Sequence, residues 1–241
     1  MCARERPFLT AQWRHLAMLN FEIDPKVLRP FVPVGTELDS WQGRTFVSIV
    51  GFLFLETRLL GVPIPYHRDF EEVNLRFYVR RRADEGWRRA VVFVKEIVPR
   101  TAIALTARLL YGENYVALKM QHGIDGAPAA RRVSYSWWLH GREHRISMSV
   151  DGEAQDVREG SEEEFVTEHY WGYVRGGRRT TEYRVEHPRW RVSPATSARL
   201  DCDVAALYGS QFVEFLNAAP TSAFLADGSE VAVFRGVRLS R

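Results

Sequence analysis

Apolar and polar side chains alternate along most of the chain with the two-residue period of β-strands. The clearest run covers residues 70–79. Val73, Leu75, Phe77 and Val79 share one face, while Glu72, Asn74, Arg76 and Tyr78 share the other. Residues 45–55 (TFVSIVGFLFL) are β-branched or aromatic at both parities, which predicts a central strand covered on both sides. Residues 90–98 repeat that pattern except at Lys95 and Glu96. Further strands are expected over 13–23, 115–121, 133–139, 145–150, 183–192, 199–202, 221–226 and 231–237, with a Gly176-Gly177 hairpin and a Pro- and Gly-bearing loop over 60–66.

Helical signals are few and short. Asp24-Pro25 reads as an N-cap with proline in the first turn, ended by Pro30, Pro33 and Gly35. Residues 99–111 predict a helix closed by Gly112, Ser161-Glu162-Glu163-Glu164 has the form of a capping box, and residues 204–216 fit one or two short helices. With neither an internal repeat nor a linker, the pattern predicts one α+β domain over residues 1–241, built around a large, mainly antiparallel sheet or barrel.

Composition narrows the function classes. The chain has 33 basic and 30 acidic residues, interleaved, for a net charge of +3. Its short arginine clusters (80–82, 88–89, 131–132, 178–179) fall in expected turns, so no basic face for nucleic acid is predicted. Residues 1–6 lack the apolar core of a signal peptide, and no apolar run reaches 18 residues, so a cytoplasmic protein with no membrane partner is expected. Cys2 and Cys202 do not form a metal-type spacing. His140 and His144 flank Gly141 in an expected hairpin rather than on a helix, so neither a metal nor another cofactor is predicted. The chain has only three lysines, Lys26, Lys95 and Lys119, against 30 arginines. Lysine is the cation that readily becomes a nucleophile, so its positions matter.

Signatures of nucleotide-binding loops, zinc proteases and serine hydrolases are absent. Three groups carry possible chemistry. The row Glu72, Asn74, Arg76, Tyr78 is either a solvated sheet face or the lining of a polar pocket. Lys95, set among apolar residues, is either a strand lysine whose head reaches water or a desolvated amine able to form a Schiff base. Glu96 should point to the opposite face from Lys95. In the run 168–173 (EHYWGY), His169, Trp171 and Tyr173 either pack a helix end or wall a ligand.

The runs MLNFEIDPKVLRPFVPVGTELD, EVNLRFYV, VFVKEIVPR, LYGENYVAL and EEFVTEHYWGY resemble the uncharacterised bacterial YqjF-like family, a domain of unknown function similar in fold to acetoacetate decarboxylase. The resemblance extends from about Phe8 to Leu239. It implies a mainly antiparallel β-barrel or cone with a few short helices, enclosing an apolar pocket. Acetoacetate decarboxylases carry a Schiff-base lysine in a Lys-Lys pair. Here the corresponding positions read Tyr115-Val116, and Lys119 lies roughly 13 Å along the strand from Tyr115. By the same resemblance Arg14 matches the pocket arginine, Glu72 matches one pocket glutamate, and Ser48 stands in place of the other.

Imine-based decarboxylation is therefore not expected. The residues singled out for catalysis are Glu72 as acid or base, Arg14 as holder of an anionic or carbonyl group, Tyr115 as hydrogen-bond donor, and Lys95 as a relocated nucleophile. Ser48, Asn74, Arg76, Arg108, His169 and Trp171 complete the candidate pocket. Three possibilities stay open: a small-molecule pocket, an imine-forming enzyme using Lys95, and a non-catalytic binding or scaffold protein that could be a homo-oligomer.

Overall fold

The computed structural model describes residues 5–63, 68–99, 114–176 and 179–239. The helix expected over 99–111, with Arg108, and the tip of the hairpin at Gly177 lie outside the described residues.

The described strands are β1 (Leu9–Glu22), β2 (Glu37–Leu38), β3 (Phe46–Leu59), β4 (Val62–Pro63), β5 (Phe70–Ala83), β6 (Gly86–Val98), β7 (Tyr115–Ala117), β8 (Lys119–Asp125), β9 (Arg132–Leu139), β10 (Arg142–Val150), β11 (Gln155–Asp156), β12 (Trp171–Gly176), β13 (Arg179–Glu186), β14 (Arg191–Asp201), β15 (Ser222–Val233) and β16 (Val237–Arg238). The main path of pairing runs β13-β12-β6-β5-β3-β1-β15-β14-β10-β9-β8. It is antiparallel except where β6 meets β12 and β7. Val185 and Glu186 of β13 also pair with Val233 and Ala232 of β15, so the succession of pairings returns to β13. The fold is mostly β-sheet with a few short helices.

Both faces of the central strands are covered, which explains why their sequences are apolar at both parities. One face of β1, β3, β5 and β6 packs Leu19, Ile49, Leu75 and Val92 against Tyr135, Trp137 and Met148 of the β8–β9–β10 layer and against Leu207 and Phe212 of the short helices. The opposite face gathers Leu9, Met18, Val50, Phe52, Tyr78, Val91, Tyr183 and Val233 into a second cluster around a hollow.

Two irregularities change which residues face that hollow. In β6 the register against β5 shifts between Leu75–Lys95 and Arg76–Phe93, leaving Val94 as an extra residue. Val91 and Phe93 face the hollow before this bulge, and Glu96 faces it afterwards. In β1 the register shifts between Arg14 and Ala17, where His15 has φ 55°. Trp13 faces the hollow on one side of that shift and Leu16 on the other. The opposing strand accommodates the bulge at Gly228, whose φ is 76°. A Cβ there would lie 2.0 Å from the Trp13 carbonyl oxygen. Glycine thus lets residues 222–233 continue as one strand, where two had been expected.

Several other bounds differ from the sequence pattern. The strand expected over 183–192 ends at Glu186 and resumes at Arg191; Pro188, which has no N–H for a ladder, lies in the break. The run 115–121 is divided at Leu118. The N-caps Asp24 and Ser161 do accept backbone hydrogen bonds from Lys26 and Glu164, as their sequences predict.

The two layers meet most closely where Tyr135 of β9 lies on Gly51 of β3. A Cβ at residue 51 would approach Tyr135 Cδ2 to 2.5 Å and Cγ to 2.9 Å. Tyr135 is fully buried, and its hydroxyl donates to the carbonyl of the bulged His15 at 2.8 Å. Gly51→Ala should therefore lower the unfolding free energy by about 1–3 kcal/mol, the usual cost of overpacking a tight core. Urea unfolding followed by circular dichroism measures it, and an unchanged midpoint would contradict this packing.

Candidate functional site

The hollow contains a cavity of about 70 Å³. One water needs roughly 10–15 Å³ by this measure, so the space suits a ligand of about five or six non-hydrogen atoms. Most of its wall is apolar. Trp13 packs edge-on against Phe52 and Phe54, with ring centroids 5.4 and 5.7 Å apart, and lies 6.3 Å from Trp190. His187 stacks on Trp190 at 4.2 Å. His187 also borders an open groove with Glu56, Arg58, Glu186 and Glu230, and so sits between cavity and surface.

Into this apolar wall β5 projects Glu72, Asn74 and Arg76, all buried. Asn74 Nδ2 donates to Glu72 Oε1 at 2.9 Å. Arg76 Nη2 donates to the carbonyl of Val166 at 2.9 Å, near the end of the helix Glu162–Thr167, where carbonyls lack intrahelical donors. Among the described residues, Arg76 Nε and Asn74 Oδ1 are buried without a hydrogen-bond partner. His169 follows the same helix and lies against Tyr78 and Phe165, with ring centroids 4.7 and 5.8 Å away. From the other side Glu96 of β6 enters the cavity, directly across the ladder from Asn74. The Tyr115 hydroxyl of β7 donates to Glu96 Oε1 at 2.8 Å.

The electrostatics follow from burial. Removal from water pushes the Glu72 carboxyl well above the usual glutamate range, and the nearby Glu96 pushes it the same way. The hydrogen bond from Asn74 and the charge of Arg76 oppose them. Burial, followed by the positive charges of Arg89 and Arg76, drives His169 well below the ordinary histidine value. Burial thus favours the protonated carboxyl of Glu72 and the neutral imidazole of His169, which lie beside the Arg76 guanidinium.

Glu72, Asn74, Arg76, Tyr115, His169 and Trp171 all line the cavity. The Trp171 ring is also covered on one side by the Arg88 guanidinium, 4.0 Å from its centroid.

Arg14 does not line it. As the neighbour of inward-facing Trp13 it points to the other side of β1, donating to Gln12 Oε1 at 3.0 and 2.8 Å and to the Gly228 carbonyl at 3.1 Å. Lys95 is also turned away, because the bulge places it beside outward-facing Val94. Its ammonium donates to the Leu207 carbonyl, and burial lowers its pKa. Ser48 shares the parity of Val50 and Phe52 but lies beyond them, bonded to Asn20 Oδ1 at 2.6 Å and to the Tyr78 hydroxyl at 2.5 Å. Tyr173 is buried with its hydroxyl on Glu182 and does not reach the cavity.

The residues that pattern alone misses are Glu96, Trp13, His187 and Trp190. Glu96 did carry a signal, being a carboxylate inside an otherwise apolar strand. Among the described residues no group of three or more His, Cys, Asp or Glu side chains could hold a metal ion, and no helix is long and apolar enough to cross a membrane.

Comparison with solved structures gives the fold. An acetoacetate decarboxylase-like enzyme from Sphingomonas wittichii RW1 superposes with a TM-score of 0.65 at 13% identity, over 99% of this chain and 94% of that one. The enduracididine biosynthesis enzyme MppR complexed with pyruvate gives 0.66 at 16% identity, over 99% and 92%. Acetoacetate decarboxylase from Legionella pneumophila gives 0.65 at 12% identity, over 100% and 92%. In sequence, the uncharacterized protein YqjF of Bacillus subtilis (strain 168) is 33% identical over 75 residues, a stretch spanning 31% of this chain and 31% of that protein. Residues 10–230 match the family described as an uncharacterized conserved protein, and the chain belongs to that family, DUF2071.

Proposed function

We propose that this chain binds a small carbonyl or carboxylate compound in the cavity, which forms the interior of a β-barrel or cone, and that it does so without an imine. The observation that carries the reading is the pair of polar atoms left without partners, among the described residues, inside a mostly apolar wall: Arg76 Nε and Asn74 Oδ1. Unpaired buried polar atoms cost free energy, and a ligand with complementary oxygens would satisfy them. Arg76 supplies a charge for a carboxylate, protonated Glu72 a donor for a carbonyl, and the aromatic rings an apolar contact surface. The cavity volume restricts the ligand to about the size of pyruvate, the compound bound in the MppR structure.

All three lysines lie among the described residues, and none lines the cavity. Lys26 is on an exposed helix end, Lys95 is bonded to Leu207, and Lys119 lies over the Trp138 ring at 4.8 Å. A covalent imine would need one of them to move into the hollow. A purely scaffolding role leaves the unpartnered atoms without a purpose.

Pyruvate titrated into the protein should change the fluorescence of Trp13, Trp171 and Trp190. Arg76→Met should weaken that binding by about 10–100-fold, the equivalent of losing a charged hydrogen bond. Borohydride added with pyruvate should leave no mass adduct. Failure of the wild-type protein to bind small oxo acids would remove this function, and an adduct on Lys95 would restore the imine route.

The buried acid also predicts a pH dependence. The carboxyl of Glu72 holds its proton more tightly folded than unfolded, so its contribution to stability is complete below the unfolded value of 4.5 and is lost as pH rises through the folded value. Gln at position 72 has no proton to lose. The stability of Glu72→Gln relative to wild type should therefore rise steadily above pH 4.5. Urea midpoints across that range test this, and a constant difference would place the carboxyl in water.

A further inference from the structure

Two carboxyl groups reach the cavity from adjacent strands, Glu72 from β5 and Glu96 from β6, with Asn74 bonded to the first and directly opposite the second. Each has a different companion. Glu72 accepts an amide hydrogen bond from Asn74, whereas Glu96 receives the Tyr115 hydroxyl. Arg76 lies next along β5, where a substrate carboxylate would be held. One group able to give a proton and another able to take one, both facing an enclosed space, is the arrangement that acid–base chemistry at a carbonyl requires.

We infer that the site interconverts the keto and enol forms of a small 2-oxo acid, with Glu96 removing a proton from the carbon beside the carbonyl and Glu72 protonating the carbonyl oxygen. This rests on the ligand reading given above. In the forward step the C–H bond breaks and its electron pair becomes the C=C bond. The carbonyl π pair moves onto oxygen and forms an O–H bond with the proton from Glu72, while Glu96 holds the proton taken from carbon. The step is an isomerisation and needs neither oxidant nor reductant. Its reverse, after Glu96 has exchanged with solvent, returns a solvent proton to carbon. Tyr115 is a positioning residue that holds the Glu96 carboxylate.

The test is proton NMR of pyruvate in deuterium oxide, following loss of the methyl signal. The wild-type protein should accelerate the exchange. Glu72→Gln and Glu96→Gln should each lower the rate by about a hundredfold, within the usual range for general acid–base groups, while still binding pyruvate by fluorescence. Tyr115→Phe should lower kcat with KM unchanged, and it provides the reading if either Gln variant fails to fold. Lys95→Ala should exchange at the wild-type rate. Binding without exchange in the wild-type protein would overturn the inference and leave the ligand site intact. Absence of binding would remove both. Exchange retained in a folded Glu96→Gln protein, or lost in Lys95→Ala, would also overturn the assignment, the latter in favour of an imine.

Discussion

Everything about the site depends on burying a guanidinium in a hollow made mostly of aliphatic and aromatic side chains. A charge removed from water is tolerated only where hydrogen bonds and neighbouring groups compensate it. Arg76 obtains one such bond from the Val166 carbonyl, and its charge in turn shapes its neighbours. It helps keep His169 neutral and partly offsets the burial of Glu72. The helix carrying Val166 and leading to His169 is held by its Ser161 cap, so a local feature of the chain reaches the cavity through a single carbonyl oxygen.

Strand alternation supplies the second constraint. When both faces of a sheet are covered, polar residues at alternate positions have nowhere wet to point, and they must either pair or line a cavity. β5 shows this directly, with Val73, Leu75, Phe77 and Val79 packed under the second layer and Glu72, Asn74 and Arg76 in the hollow. The bulges then select among the remaining candidates. If β6 alternated regularly through Val94 instead of bulging there, Glu96 would keep the outward parity of Val92, and Lys95 would face inward with Phe93. A one-residue irregularity thus exchanges an amine for a carboxylate at the cavity wall.

That exchange marks the limit of what the sequence revealed. The two-residue period was sufficient for β5, and adjacency was sufficient to place Lys95 and Glu96 on opposite faces. Neither could say which face was the interior, because the β6 bulge leaves no glycine or proline at Val94 to announce it. Arg14 was placed in the pocket by likeness to a decarboxylase arginine, but it sits at the edge of the β1 bulge, where parity reverses within three residues. Trp13 and Trp190 escaped notice for a different reason: in a chain apolar at both parities, a tryptophan in a strand looks the same whether it fills a core or walls a cavity. In the run around His169 the sequence leaves packing and a ligand wall equally open; His169 and Trp171 line the cavity, while Tyr173 does not.

The lack of a lysine at the cavity wall and the raised proton affinity of Glu72 are connected in the proposed reading. An imine activates a carbonyl covalently, and its amine must be deprotonated, which a nearby guanidinium promotes. If the proposed carbonyl ligand binds beside Arg76 with no lysine in the wall, it is polarised by hydrogen bonding instead, and a carboxylate cannot donate one. Burial and the nearby Glu96 favour the protonated form of Glu72, the form that can donate. In the reading proposed above, a hydrogen-bonded electron sink serves in place of an imine, within a fold shared with acetoacetate decarboxylase. On that reading the donor at Glu72 meets the negative charge that develops on the carbonyl oxygen as a proton leaves the neighbouring carbon, and the product is a neutral enol.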